Sequence, residues 1–233
     1  MARHDIRFGI NENLHLKDPQ MTDFGKKILD SAIKLFHNLG FEKFTFKKLA
    51  HSIDTNEASI YRYFENKHKL LLWLECWYWE LISYVIEVNT TNIEDPHQLL
   101  CISIHQIVNV TTTQPVTSYI DQDLLHEVIV SEGSKAYHVH NVDDENKSGY
   151  YHSYNEVVAK VSETILKVSP DFKYPKLLAS NIFEMANNQL YFSQHMPELT
   201  DIKYDDNVQD SVESAIKYLV SRMLKVENAA YSQ

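Results

Sequence analysis

The sequence predicts an all-α protein of about nine helices. Two observations carry this. Apolar residues recur three and four apart through long segments, and prolines and glycines punctuate the chain. The β-branched run Ile102 to Val110 has no hairpin partner beside it, so it is read as helix too.

The elements follow in order. Asp18-Pro19 supplies an N-cap and a first-turn proline for a helix carrying Phe24, Ile28, Leu29, Ala32, Leu35, Phe36 and Leu39, which Gly40 stops. Thr45 caps a short helix with Phe46, Leu49, Ala50 and Ile53. Asp54-Thr55-Asn56 reads as a turn, and Glu57 to Phe64 as a second short helix. Asn66 caps a long helix to about Val88. Pro96, Pro115, Pro170, Pro175 and Pro197 then separate helices expected near 96–110, 118–132, 150–168, 175–195 and 206–226. Gly133 to Ser148, with its Asp143-Asp144-Glu145 run, reads as an exposed loop.

Composition narrows the function classes. With 44% apolar residues in 233, the chain can bury a core. Cys76 and Cys101 are too few and too isolated for a disulfide framework or zinc ribbon, and a reducing compartment fits. The first residues, MARHDIRFGINENLHL, lack the apolar run of a signal peptide. Leu70 to Val88 is broken by Glu75, Glu80 and Glu87, which argues against a membrane span. A soluble cytoplasmic protein is expected. Charge is divided unevenly. Residues 1–70 hold 12 Lys/Arg against 9 Asp/Glu, a local +3, while the whole chain stands at −10. Different partners for the two parts are implied.

Helix, short turn, helix is the arrangement that lays a second helix in a DNA major groove. The stretch GFEKFTFKKLAHSIDTNEASIYRYFENKHKLL resembles the TetR family of bacterial transcription regulators. Gly40-Phe41 matches the pair ending the family's first helix, Thr45 the start of its second, and Leu49-Ala50 its core pair. Ser59-Ile60-Tyr61-Arg62-Tyr63-Phe64 matches its third-helix signature, and Lys67 opens the linking helix. The likeness covers residues 24 to about 72. Asp54 stands where the family usually has glycine, and Ala58 where a small glycine is common. Asp tolerates the left-handed backbone, so the turn survives.

Each position has its own chemistry. Thr45 and Asn56, at helix N-termini, can hold phosphate oxygens or simply cap. Lys47 and Lys67 offer charge to phosphates, although Lys47 equally reads as a solvated lysine. Ser59 and Arg62 can face base edges, and Ala58 permits close approach. Tyr61 and Tyr63 match the family's backbone-contacting aromatics; core burial is the competing reading. Glu57 can accept from a cytosine amino group or favour the helix dipole. Lys26, Lys27 and an N-terminal arm with Arg3 and Arg7 are further candidates for DNA backbone or minor groove.

The resemblance implies three parts: an arm (1–20), a helix-turn-helix domain (21–70) and a helical ligand-binding and dimerisation domain (71–233). In the third, Trp73, Trp77, Tyr78, Trp79 and Tyr84 read as core, some of them as walls of a pocket for an apolar or aromatic molecule. Val208, Val212, Ala215, Ile216, Leu219, Val220 and Met223, with Ile182, Phe183, Met185, Ala186 and Leu190, can form half of a dimer bundle or an internal core. His138, His140 and His152 lie near Asp143, Asp144 and Glu145, but His-x-His on a helix diverges, so no metal is expected. No catalytic motif is present, and no enzyme activity or cofactor is expected. The expectation is a homodimeric repressor on a palindromic double-stranded operator, released by an unidentified small apolar or aromatic effector. The alternative is an effector-independent DNA-binding structural protein of the same fold.

Overall fold

A computed structural model describes residues 5–110, 115–226 and 231 of the chain. Every regular element among them is helical. Eleven α-helices occur, against about nine expected. They are α1 (Asp23–Lys43), α2 (Phe46–Ser52), α3 (Glu57–Tyr61), α4 (Lys67–Thr90), α5 (Pro96–Val108), α6 (Gln122–Glu132), α7 (Ser134–Tyr137), α8 (Val142–Lys147), α9 (His152–Val168), α10 (Pro175–His195) and α11 (Val208–Leu224). The difference lies in Gly133 to Ser148, which is not a loop but carries α7 and α8. No helix among the described residues is long and apolar enough to cross a membrane.

The described residues form two compact units. The first holds those up to Glu80 with 115–154, the second 81–110 with those from Asn155 on. α4 contributes its beginning to the first and its remainder to the second.

In the first unit, Asp18 and Pro19 start only a short 3-10 turn, and Thr22 caps the long α1 by accepting from Gly25 N–H. Gly25 permits this tight entry, since a Cβ there would stand 2.3 Å from the Pro19 carbonyl oxygen. Gly40, at φ 73°, breaks α1 as expected, and a last turn runs on to Lys43. α1 buries Ile28, Leu29, Ala32, Ile33 and Phe36, with Phe36 stacked on Phe44 at 4.0 Å. α6 packs along α1, and Glu132 at its end accepts from Phe41 N–H. Trp73, Trp77 and Tyr78 are fully enclosed, the core outcome for those rings. Tyr78 Oη lies 2.7 Å from Nδ1 of buried His126.

From Asp5 on, the arm is bonded into this unit. Ile6 N–H donates to Val116 O, Asp5 pairs with Lys26 at 3.0 Å, and Phe8 packs edge-on to Trp77. Gln20, 3% exposed, bonds both backbone groups of Phe8 and accepts from Tyr119 Oη.

In the second unit, α5 and α10 both pack on α11. Val212, Ile216 and Val220 of α11 and Ile182, Phe183 and Ala186 of α10 are buried within the chain. Glu213 joins α11 to α5, accepting from His105 Nδ1 (2.8 Å), Asn109 Nδ2 (2.9 Å) and Lys217 Nζ (2.8 Å). Its carboxyl sits below the usual range, because the bonds from Lys217 and His105 outweigh a desolvation that by itself raises it. Tyr218, Leu219 and Met223 of α11 and Leu177 of α10 remain exposed.

Candidate nucleic-acid interface

The exposed side of α2 and α3 is set by their caps. Thr45 Oγ1 accepts from Lys48 N–H, and Asn56 Oδ1 accepts from Ser59 N–H and Ser59 Oγ. Both cap roles are thus in use, and the side chains stand where phosphate oxygens meet helix N-termini. Between the helices, Asp54 takes the left-handed conformation at φ 54°, as its place in the turn demands. Thr55 N–H closes back onto Ala50 O. Phe46, Leu49, Ala50, Ile53, Ile60 and Phe64 are buried beneath, holding the pair as a rigid corner.

Thr45, Lys47, Asn56, Ala58, Tyr61 and Arg62 are exposed on this corner, and Glu57 and Ser59 are half-buried. Tyr61 is 48% exposed and leans edge-on against Phe46 at 5.0 Å. Arg62 lies just beyond the last residue of α3, which ends at Tyr61 rather than at Phe64. Lys48, not among the expected contacts, is exposed beside Lys47, with Nζ on Lys43 O at 2.8 Å. Its adjacency to Lys47 was the available signal.

Two expected contacts are placed differently. Tyr63 is a core residue, 4% exposed, with Oη bonded to Thr22 Oγ1 at 2.7 Å and its ring against Phe24. The helix has ended by then, so its periodicity no longer sets where Tyr63 points. Lys67 directs Nζ inward to the carbonyls of Phe41 (2.7 Å), Glu42 (3.3 Å) and Phe44 (3.4 Å), over the Phe41 ring. It fastens the end of α1 to the start of α4, and its donors are committed to backbone. Lys27 likewise bonds Ile53 O, and Lys26 is held by Asp5. Arg7 lies against the Met21 sulfur, and Arg3 falls outside the described residues.

The other candidate groups separate. Glu145 is buried and accepts from His68 Nε2 and Asn141 Nδ2, both at 2.9 Å, and from Tyr151 Oη at 2.6 Å. Asp144 pairs with Lys147. No three His, Cys, Asp or Glu side chains gather as a metal site among the described residues.

A buried three-helix corner, capped at both N-termini and open along α3, is a helix-turn-helix DNA-binding domain. Residues 28–74 match the model of the bacterial regulatory proteins, tetR family. The match spans the helix-turn-helix corner and the start of α4. No curated protein sequence matches the chain. Solved structures share the fold at low identity. AibR in complex with isovaleryl coenzyme A and operator DNA superposes with a TM-score of 0.56 at 15% identity, covering 84% of this chain and 97% of that one. The fatty acid degradation regulator FadR from Bacillus halodurans gives 0.57 at 15% identity, covering 85% and 93%. A TetR-family regulator from Mesorhizobium loti gives 0.52 at 15%, covering 90% and 98%.

Proposed function

We propose that the protein is a homodimeric transcriptional repressor that binds a palindromic double-stranded operator and is released by a small molecule. The observation that carries the reading is the open face of α2 and α3, where Thr45, Lys47, Asn56, Ala58, Tyr61 and Arg62 are exposed together above a buried corner. Thr45, Asn56 and Lys47 position the phosphate backbone; Ser59, Arg62 and Glu57 face base edges. AibR, bound to operator DNA and an acyl coenzyme A, supports both halves of the reading.

The second unit supports the remainder. Exposed Tyr218, Leu219 and Met223 on α11 favour a partner helix, whereas the inner residues of α10 and α11 serve the chain's own core. A groove of about 370 Å³ beside α4, α5 and α9 is lined by Ile86, Leu99 and Val161 together with Lys160 and Lys167. It is large enough for a small effector. Its mixed lining favours a molecule with an apolar body and a polar end over a wholly apolar one. The coupling between such a site and DNA is typically worth ~1–3 kcal/mol.

The test is selection of random double-stranded DNA on the purified protein. A palindrome is expected, and Arg62→Ala and Tyr61→Ala should each weaken binding to it about tenfold or more without unfolding the protein. Recovery of no sequence, or unchanged affinity in both variants at fixed salt, would overturn the assignment.

A further inference from the structure

The chain ahead of α1 is packed against the first unit. Ile10, Leu14 and Gln20 are buried. Asn11 Nδ2 donates to Ser148 O at 3.0 Å, and Asp5 accepts from Ser118 N–H at 2.8 Å. The segment then crosses the end of α3. Leu16 N–H donates to Tyr63 O at 2.8 Å, and Tyr63 Oη lies 2.7 Å from Thr22 Oγ1. The crossing falls one residue after Arg62. It leaves Lys17 exposed, with Nζ 5.2 Å from the centroid of the Tyr63 ring. The acids closest to it in sequence and at the end of α3 are engaged elsewhere: Asp18 accepts from Gln20 N–H, and Glu65 pairs with Lys69. Lys26, Lys27 and Lys67, by contrast, are held by Asp5, by Ile53 O and by carbonyls at the end of α1.

We infer that Lys17 is a DNA-backbone contact, held by the docked arm at the edge of the face that carries Tyr61 and Arg62. An exposed ammonium is drawn to phosphate, and the counterions it displaces make the contact depend on salt. Two features set Lys17 apart from an ordinary surface lysine. The Leu16–Tyr63 bond fixes the backbone beside it, so less freedom is lost when the stem is ordered on DNA. The face of the Tyr63 ring keeps the ammonium on the α3 side.

Lys17 stands beside α3 and not on it, so phosphate is its target and base edges are left to the helix. Phosphate contacts set register and add affinity without regard to sequence. The docked arm thus serves as a strap that carries one cation to the rim of the recognition face. The inference rests on the reading of α3 as the DNA-facing helix; it does not need the operator to be a palindrome or the protein to be a repressor.

The experiment places single neutral methylphosphonates along the selected duplex and titrates the parent and Lys17→Gln on each. In the parent, one phosphate flanking each half-site should cost about tenfold in affinity when neutralised. In Lys17→Gln that penalty should vanish while the others stay, and Lys17→Arg should restore it. Penalties that match in parent and Lys17→Gln at every phosphate overturn the assignment. Lys17→Gln should melt within about 2 °C of the parent. Should it melt lower, Lys17→Met, which keeps the stem over the ring, carries the test in its place. The salt dependence on random-sequence duplex scores Lys17 apart from the operator. Lys17→Gln should lower the slope of log K on log salt by about 0.9 per chain. An unchanged slope overturns the contact even where selection recovers a palindrome. A lowered slope with no palindrome recovered removes the repressor reading and keeps the contact.

Discussion

Replacing Lys67 and Lys47 in parallel separates two uses of the same side chain. Lys67→Met removes a charged donor from three carbonyls at 2.7, 3.3 and 3.4 Å and a cation from the Phe41 ring. One short charged bond and two long ones, at a partly solvated site, come to roughly 1–2 kcal/mol. For a chain of this size that lowers the melting temperature by roughly 2–8 °C. Lys47→Ala, at an exposed position, should leave melting unchanged within about 1 °C. In a titration of DNA affinity against salt, the order reverses. Losing one phosphate contact lowers the slope of log K on log salt by about 0.9 per copy, so by about 1.8 in a dimer. Lys47→Ala should show that drop, and Lys67→Met should keep the wild-type slope. If Lys67→Met lowers the slope as Lys47→Ala does while its melting point stays put, Lys67 is a phosphate contact and its role as a backbone fastener is refuted.

Other expectations concern acid stability and base selection. Burial holds His126 down to about 4, below its ordinary 6.5. A depressed folded value means the contribution is complete above 6.5 and lost as pH falls towards 4, amounting to roughly 2 kcal/mol between pH 7 and pH 5. Denaturant unfolding at the two pH values should show His126→Gln losing less stability than the parent; equal losses would contradict it. Glu57→Gln removes a carboxylate from the face proposed to meet DNA, so affinity for non-cognate duplex should rise while discrimination between operator and variant bases falls. A filter-binding comparison on both DNAs checks this, and unchanged non-cognate affinity would reject the role.

Much of the fold can be read from short-range chemistry. Thr45, Asn56 and Asn66 cap where their positions imply, Gly40 breaks α1, and Asp54 takes the left-handed turn. These are decisions made within four residues, which a sequence displays. The misplaced residues answer to distant partners. Lys67 finds carbonyls more than twenty residues earlier, and Tyr63 is drawn inward by Thr22 and Phe24. α7 and α8 are too short to show a period, and Glu145 ties that region to His68 across 77 residues. The arm's anchors, Gln20, Ser118 and Val116, are polar or backbone groups without a periodic signature, so its docking is not legible in sequence.

The two cysteines have a practical consequence for spectroscopy. Both are buried, and burial pushes the Cys76 thiol up to about 12 and that of Cys101 to about 11. Thiolate is the species that reacts with maleimides and spin labels, so at neutral pH the folded chain presents neither as a target. A single cysteine introduced at exposed Asn38 on α1 can then be labelled selectively in the otherwise native sequence. Two such labels in a dimer would act as a ruler between the DNA-reading heads, read with and without a small-molecule effector.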